Sequence, residues 1–170
     1  NQDGSWHWVE ARSRSLEHDA DGQPRLIVGT LLDISARKAS EAERQLADLV
    51  FTGISDGICI TDAQRNILRI NKAFSHITGY EPADVLGQNP RLLRSGNHDH
   101  AFFRDMWEKL DRYDNWQGEI VNRRKDGSLS NEWLSISCVR NAAGAISHYV
   151  GLFSDLSERQ AAAERIQYLS

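Results

Sequence analysis

A carboxylate in the second half of the chain stands in an otherwise apolar pattern. Glu132 precedes Leu134, Ile136 and Cys138 at spacings of two residues, which places these side chains on one face of a predicted strand. If that face borders a cavity, the carboxylate must accept hydrogen bonds, reach solvent or become neutral, because an unpaired buried charge is strongly unfavourable. The alternative is that the strand frays here and Glu132 is solvated. Glu132 is therefore a candidate binding residue.

Two histidines lie beside a predicted helix start. His98 and His100 flank Asp99, a residue type that caps helix N-termini, and either imidazole could serve as an axial haem ligand. The sequence shows no second haem ligand, and the third and fourth ligands of a zinc site are missing. A solvated loop and helix cap is the favoured interpretation of these residues.

Several arginines could bind a phosphate group. They are Arg91, Arg94, Arg123 and Arg124. The more ordinary interpretation is surface charge on a loop and at a strand end. The sequence shows no glycine-rich phosphate loop, nucleophile elbow or paired carboxylates with a metal cluster, so we predict no enzymatic activity for these residues.

The composition is that of an ordinary globular protein. The 170 residues include 20 Lys and Arg against 24 Asp and Glu, a net charge of −4. Charges of both signs are interspersed, so neither nucleic acid nor a membrane is an expected partner. No apolar run approaches the roughly 20 residues of a membrane span, and the first residues do not resemble a signal peptide. Cys59 and Cys138 stand alone in strand-like runs, which predicts reduced thiols in a cytoplasmic protein.

The chain contains a partial internal repeat. The segments 3–5 and 33–35 recur at 126–128 and 155–157, as Asp-Gly-Ser and as Asp-(Ile/Leu)-Ser. We predict that residues 1–35 are the last two strands of one domain and that residues 36–51 form a connecting helix. Residues 52–157 would then be a complete second domain, and residues 158–170 an exit helix. The first hairpin is expected to pair with another chain or to pack on the connecting helix, because a lone hairpin is marginally stable in water.

Residues 52–157 follow an α+β pattern. The β-branched runs 57–62 and 66–70 predict a hairpin, and short helices are predicted at 72–78 and 81–86. Asp99 can cap a longer helix with one apolar face, which is expected to pack on the sheet. Strands predicted at 117–124, 129–139 and 146–154 complete the order β-β-α-α-α-β-β-β.

Motifs along this segment resemble the signature of PAS domains with their C-terminal PAC motif. They are Asn71-Lys72-Ala73-Phe74 with Thr78-Gly79-Tyr80, then residues 84–90, 122–128 and 151–157. The resemblance implies a PAS fold: a five-stranded antiparallel sheet with short helices on one face, flanked by connecting helices, with a pocket between sheet and helices. Such a fold does not by itself specify a ligand.

The resemblance also implies which side chains would form a cofactor site. Asn122 aligns with an amide that contacts the ring in flavin-binding PAS domains, and Trp107 and Trp116 are similar to tryptophans in the flavin-binding PAS domain of a nitrogen-fixation redox sensor. The predicted cofactor-binding residues are Asn122, Trp107, Glu132, Leu134, Ile136, Phe153 and Trp116. FAD is the first candidate cofactor and haem the second. The alternative is that Trp107 is core packing and that Asn122 satisfies the backbone of a neighbouring turn.

Two positions depart from the light-sensing flavin domains of this fold. Pro90 stands where those domains carry a reactive cysteine, and Phe153 stands where they carry a glutamine in the last strand. Proline has no nucleophile and phenylalanine has no amide to turn. Blue-light adduct chemistry is therefore not expected.

The resemblance implies a sensory role in a signalling protein. We predict that a change in the pocket reaches the exit helix through Asp155 and Ser157, whose alternative role is helix capping. Residues 164–170 are similar to the lead-in to a diguanylate cyclase (GGDEF) domain, often followed by an EAL phosphodiesterase domain. A histidine kinase is the next candidate output.

The predicted partners are a small molecule and a second copy of the chain, contacted through the flanking helices and the sheet. The alternative function is a cofactor-free dimerisation and spacer module. Its pocket would be filled by the chain's own side chains, such as Phe74, Phe153 and Trp133.

Overall fold

The computed structural model describes residues 4–157. These residues divide into two units, with the boundary between Val50 and Phe51. The first unit contains strands β1 (Val9–His18) and β2 (Pro24–Asp33) and most of helix α1 (Ser35–Gly53). No helix within 4–157 is long and apolar enough to cross a membrane.

The second unit is built on one antiparallel sheet with the strand order β4-β3-β7-β6-β5. Its elements are, in chain order, β3 (Gly57–Asp62), β4 (Ile67–Ile70), α2 (Lys72–Thr78), α3 (Pro82–Val85), a 3-10 helix (Pro90–Leu93), α4 (His100–Tyr113), β5 (Asn115–Arg123), β6 (Leu129–Arg140) and β7 (Ile146–Asp155). The predicted PAS architecture and element order are confirmed. The 3-10 helix was not predicted, and β5 begins two residues earlier than expected.

Short helices begin where polar side chains cap them. The Asn71 side-chain oxygen accepts from the backbone N–H groups of Phe74 at 2.9 Å and of Ile58 at 2.8 Å, so it starts α2 and ties that helix to β3. Asp99 caps α4 as predicted, accepting from the Phe102 N–H at 2.9 Å. Gly79 ends α2 with φ of 76°, a conformation that favours glycine.

The core consists of two apolar clusters on the inner face of the sheet. One cluster centres on Phe74, which is fully buried, and contains Phe153. The other contains Met106 and Leu110 from α4, so the apolar face of that helix packs on the sheet as predicted. Leu134 contacts both clusters and lies between them.

Side chains alternate along β6 as the sequence pattern predicts. Glu132, Leu134 and Ile136 lie on the inner face, and Glu132 is only 1% exposed, so the strand does not fray at this position. Trp133 lies on the outer face and is 37% exposed. The prediction that Trp133 fills the pocket is therefore wrong, because its neighbours in the strand occupy the inner face.

Both edges of the sheet are covered by the chain between α3 and α4. On the β4 edge, Ile67 donates to the Gln88 carbonyl and accepts from the Gly87 N–H, each at 2.8 Å. On the β5 edge, the Val121 N–H donates to His98 Nε2 at 2.9 Å, and Ser95 Oγ donates to the Val121 carbonyl at 2.6 Å. Neither edge strand presents a fully open row of backbone groups.

The β1–β2 hairpin has the same register as β6–β7. The pair Val9 and Asp33 in the first hairpin corresponds to the pair Glu132 and Asp155 in the second. Four positions further along, the pair Ser13 and Gly29 corresponds to the pair Ile136 and Gly151. The aspartate that ends each hairpin also makes the same turn: Asp33 Oδ1 accepts from the Ser35 N–H, and Asp155 Oδ1 from the Ser157 N–H, each at 2.8 Å. These matches support the predicted repeat.

Nearly every side chain of this hairpin is exposed, and α1 has no buried residue. Polar contacts join the hairpin to the start of α1, where Arg37 Nη2 lies 3.7 Å from Glu10 Oε2, but they leave the hairpin largely exposed. Pairing of the hairpin with another chain stays a prediction, as does its identity as the end of a preceding domain.

Candidate functional site

A cavity of about 240 Å³ lies between the inner face of the sheet and the helices that cover it. This volume lies just below the roughly 300–1,000 Å³ typical of small-molecule sites. The predicted residues Leu134, Ile136 and Phe153 line it from β6 and β7, and Phe74 lines it from α2. The cavity thus has an apolar interior that the core side chains leave open.

Asn122 is a buried polar side chain on the cavity wall, as is Thr61. Asn122 is 7% exposed, and its Nδ2 donates to Glu132 Oε2 at 2.8 Å. Glu132 does not line the cavity but lies behind Asn122, which corrects the prediction that the carboxylate itself contacts a ligand. The Asn122 amide therefore links Glu132 to the cavity wall.

Glu132 is held in a polar pocket of its own. Burial raises the pKa of its carboxyl above the usual value, and the hydrogen bonds from Asn122 and Ser130 oppose that rise. The charges around it also oppose each other: Asp155 raises the pKa and Arg124 lowers it.

Trp107 forms an aromatic wall at the mouth of the cavity. Its indole meets the Tyr149 ring edge-to-face at 5.6 Å, and the Arg65 guanidinium lies over the indole at 3.9 Å. All three residues line the cavity, as predicted for Trp107 alone. This grouping offers a stacking surface beside a positive charge.

Two further arginines reach the same cavity. Arg91 and Arg94 come from the 3-10 helix and the residue after it, and Arg94 lies over the Phe103 ring at 3.8 Å. Both side chains are exposed, as the surface-charge interpretation expects, but they face the cavity mouth. With Arg65 they make the mouth positive and suited to an anionic group.

Trp116 does not line the cavity, so its predicted role is corrected. It is buried within the α4 cluster, with the Phe102 ring edge-to-face at 5.8 Å. The indole lies over Gly118, where an added Cβ would come within 2.9 Å of the ring. The missing side chain at Gly118 leaves the space that the Trp116 ring occupies.

His98 has a structural partner. Its Nε2 accepts from the Val121 N–H, and its ring stacks on Phe102 at 4.1 Å. Nε2 is thus used in holding the loop to β5, which disfavours this atom as a haem ligand. Within residues 4–157, no cluster of His, Cys, Asp and Glu is arranged to hold a metal ion.

Pro90 and Cys59 also line the cavity. Burial raises the pKa of the Cys59 thiol to about 12, so this side chain is a neutral wall residue at physiological pH. Neither residue supplies a reactive thiolate.

Arg124 connects the region behind the cavity to the end of the sheet. Its guanidinium donates to Asp155 Oδ2 at 2.7 Å and to the Ile77 carbonyl at 2.9 Å. Asp155 also accepts from the Ser157 N–H, so the two predicted relay residues share a hydrogen bond. Asp155 pairs with Glu132 in the sheet register, which brings this network next to the carboxylate behind Asn122.

Sequence reasoning missed several wall residues. They are Thr61, Arg65, Asn89, Phe103 and Tyr149. The alternation of β7 that predicts Phe153 inward also predicts Tyr149 inward, so that residue could have been found. Arg65 comes from a loop, where no side-chain period gives a signal.

Comparisons with known proteins agree with this geometry. Residues 55–158 match the PAS domain family. The nitrogen fixation regulatory protein of Klebsiella oxytoca is 35% identical over 132 residues, which cover 76% of this chain and 27% of that protein. The bacterioopsin transcriptional activator of Halobacterium salinarum is 34% identical over 150 residues, covering 88% of this chain and 22% of that protein. The chain thus spans about a quarter of the length of these relatives.

Solved structures show the same fold. The PAS domain of a Colwellia psychrerythraea protein matches with a TM-score of 0.62 at 22% identity, over 67% of this chain and 96% of that chain. At this identity the likeness concerns the fold. Taken with the family match over residues 55–158, it leads to one conclusion: the chain belongs to the PAS domain family.

Proposed function

We propose that residues 52–157 are a sensory module that binds a flavin, with FAD as the first candidate, in the cavity between sheet and helices. The observation that carries this proposal is the buried Asn122 amide on the cavity wall, beside the apolar side chains of Leu134, Ile136 and Phe153. A flavin has a flat, largely apolar ring system with one hydrogen-bonding edge, and it carries phosphate on a flexible chain. Each of these features has a counterpart in the described residues.

The apolar interior would receive the ring system. Leu134, Ile136 and Phe153 form its walls, and Asn122 would hydrogen-bond the polar edge of the ring. Trp107 would stack at the mouth, and the positive mouth formed by the arginines would hold the phosphates. When bound, the flavin would supply a centre that takes up and releases electrons.

The module would pass a change of ligand state from the cavity to the exit helix. Asn122 contacts Glu132, Glu132 is neighbour to Asp155 and Arg124, and Asp155 accepts from the Ser157 N–H. A rearrangement at Asn122 would alter the hydrogen bonds that hold Asp155. A coupling of about 1–3 kcal/mol would change an output about 5- to 150-fold. The exit helix, residues 158–170, lies outside the described residues.

Absorption spectroscopy and reconstitution test the proposal. The purified protein is expected to show flavin absorption or to quench flavin fluorescence when titrated with FAD. Trp107→Ala should weaken binding about tenfold or more, because it removes the stacking surface. Trp133→Ala is the matched control: this tryptophan lies on the outer face, so the affinity should not change. A colourless protein that binds no added flavin would refute the proposal.

We further propose that the protein acts in the cytoplasm, as a homodimer, upstream of an output domain for which a diguanylate cyclase is the first candidate. Exposed apolar side chains on α1 and on the outer sheet face support dimerisation: Leu46 and Leu49 are 62% and 68% exposed, and Trp133 is 37% exposed. Sedimentation of the protein and of a Trp133→Ser variant would test this contact. A wild type that remains monomeric at high concentration would refute it.

The spacer alternative has one observation against it. Phe74 and Phe153 pack edge-to-face at 5.5 Å within the core, yet the cavity beside them stays open. A spacer would need no such space. The alternative would be favoured by a protein that dimerises but retains no small molecule when denatured extracts are examined by mass spectrometry.

A further inference from the structure

The Asn122 amide has one side turned to Glu132 and one side available to a ligand. Nδ2 donates to Glu132 Oε2, and within residues 4–157 no protein group donates to Asn122 Oδ1. That oxygen is not sealed off, because the described residues contain no buried side-chain nitrogen or oxygen atom without a partner. Since Asn122 lines the cavity, Oδ1 is the atom that it offers to a ligand.

The orientation of this amide follows from the chemistry of its neighbour. An ionised carboxylate only accepts hydrogen bonds, so Asn122 must turn its NH₂ group toward Glu132. A protonated carboxyl carries one O–H donor, which can be given to the amide oxygen. The amide would then turn over and present its NH₂ group to the cavity.

We propose that Glu132 sets the hydrogen-bonding character of the cavity through Asn122. With Glu132 ionised, the cavity presents an acceptor and selects a ring edge that carries an N–H donor. With Glu132 protonated, it presents donors and selects an edge that carries acceptor atoms. Glu132 is thus a positioning residue: its protonation state determines which ligand the cavity prefers. This inference rests on the proposed binding of a flavin-like ring.

The surroundings of Glu132 permit either protonation state. Asp155, its neighbour on β7, disfavours the charge, while Arg124 beyond β5 favours it. Ser130 and Asn122 supply hydrogen bonds from β6 and β5. Burial raises the pKa of the Glu132 carboxyl above its usual value, so this carboxyl takes up a proton more readily than an exposed glutamate does.

Two probes that differ at one ring nitrogen test the selection. Riboflavin carries an N–H at position 3 of the ring, and 3-methylriboflavin carries a methyl group there. Fluorescence titration should show wild type binding riboflavin at least about tenfold more tightly, because the methyl compound leaves the buried acceptor unpaired. In Glu132→Gln the ratio of the dissociation constants of 3-methylriboflavin and riboflavin should fall to near unity, since a glutamine amide can donate or accept a hydrogen bond. Glu119→Gln, on the exposed outer face of β5, is the matched control and should keep the ratio.

A ligand-free measurement keeps this inference separate from the proposed function. In the wild type, the side-chain amide resonances of Asn122 should shift with pH in step with the carboxyl carbon of Glu132. Amide resonances that stay constant while Glu132 titrates would overturn the inference, as would an unchanged riboflavin ratio in Glu132→Gln. If neither riboflavin compound binds, the proposed flavin function fails, while the coupled titration still decides the role of Glu132.

Discussion

Replacement of Arg124 by methionine should destabilise the domain and free the end of β7. The Arg124 guanidinium donates to Asp155 at 2.7 Å and also to backbone carbonyls at Ile77 and Leu129. Methionine keeps much of the aliphatic length but leaves Asp155, which is 8% exposed, without its cation. Breaking a buried pair in this way costs about 3–5 kcal/mol, and the 27% exposure of Arg124 favours the lower end, about 3 kcal/mol.

The effect should depend on pH in a defined direction. Burial raises the pKa of Asp155, but the hydrogen bonds from Ser157 and Arg124 outweigh it and hold the pKa below the usual 3.8. The charged form therefore stabilises the fold above pH 3.8, and this contribution is lost as the pH falls through the lowered pKa. Urea denaturation should give a difference between wild type and Arg124→Met that is largest near pH 7 and shrinks as the pH falls below 3.8.

Two comparisons make the result specific. Arg140→Met removes an ion pair with Asp114 that is equally short, at 2.6 Å, but has both partners more exposed, so its effect should be much smaller. The double variant Arg124→Met/Asp155→Asn should be less destabilised than the sum of its single changes, because asparagine leaves no unpaired charge. A loss below about 1 kcal/mol in Arg124→Met, or strict additivity in the double variant, would refute the reasoning.

A methyl group at Gly57 would lie 2.4 Å from the Phe153 ring, so Gly57→Ala should push that ring into the cavity. The free energy of unfolding should fall by about 1–3 kcal/mol, and flavin binding should weaken. Gly53→Ala, where an added methyl group meets nothing within 4 Å, is the control in the same denaturation and titration assays. Burial raises the pKa of Glu132 above 4.5, so the protonated form is the one that favours folding. The melting temperature of the wild type minus that of Glu132→Gln should therefore fall as the pH rises from 4.5 through the raised pKa. A difference in melting temperature that does not change with pH would contradict the assigned burial of the charge. Arg91→Ala should weaken binding of FMN a few-fold while leaving riboflavin binding nearly unchanged, and equal losses for both compounds would show that Arg91 does not contact the phosphate.

The fold could be predicted because its signals are local. The two-residue period of β6 placed Glu132 and Leu134 on the inner face, and the cap at Asp99 located the start of α4. Both signals depend on neighbours in sequence, so tertiary packing did not override them.

The cavity was less predictable because it depends on space made by distant residues. Trp116 shares the inner face with Asn122, and alternation alone cannot tell that its ring lies over Gly118 under α4. Arg65 and Arg94 reach the cavity from irregular chain, where no period reports the direction of a side chain. Glu132 was correctly placed on the inner face, but its position behind Asn122 depends on the pairing of two strands.

The covered edges of the sheet limit how these domains can associate. Within residues 4–157, the loops carrying Gln88 and His98 already occupy hydrogen-bonding groups that a strand from another molecule would need. Continuous intermolecular sheets, the first step toward fibrils, are thereby obstructed. Side-chain contacts on the outer face remain available, so a dimer built there could shift or rotate without breaking any ladder of backbone bonds.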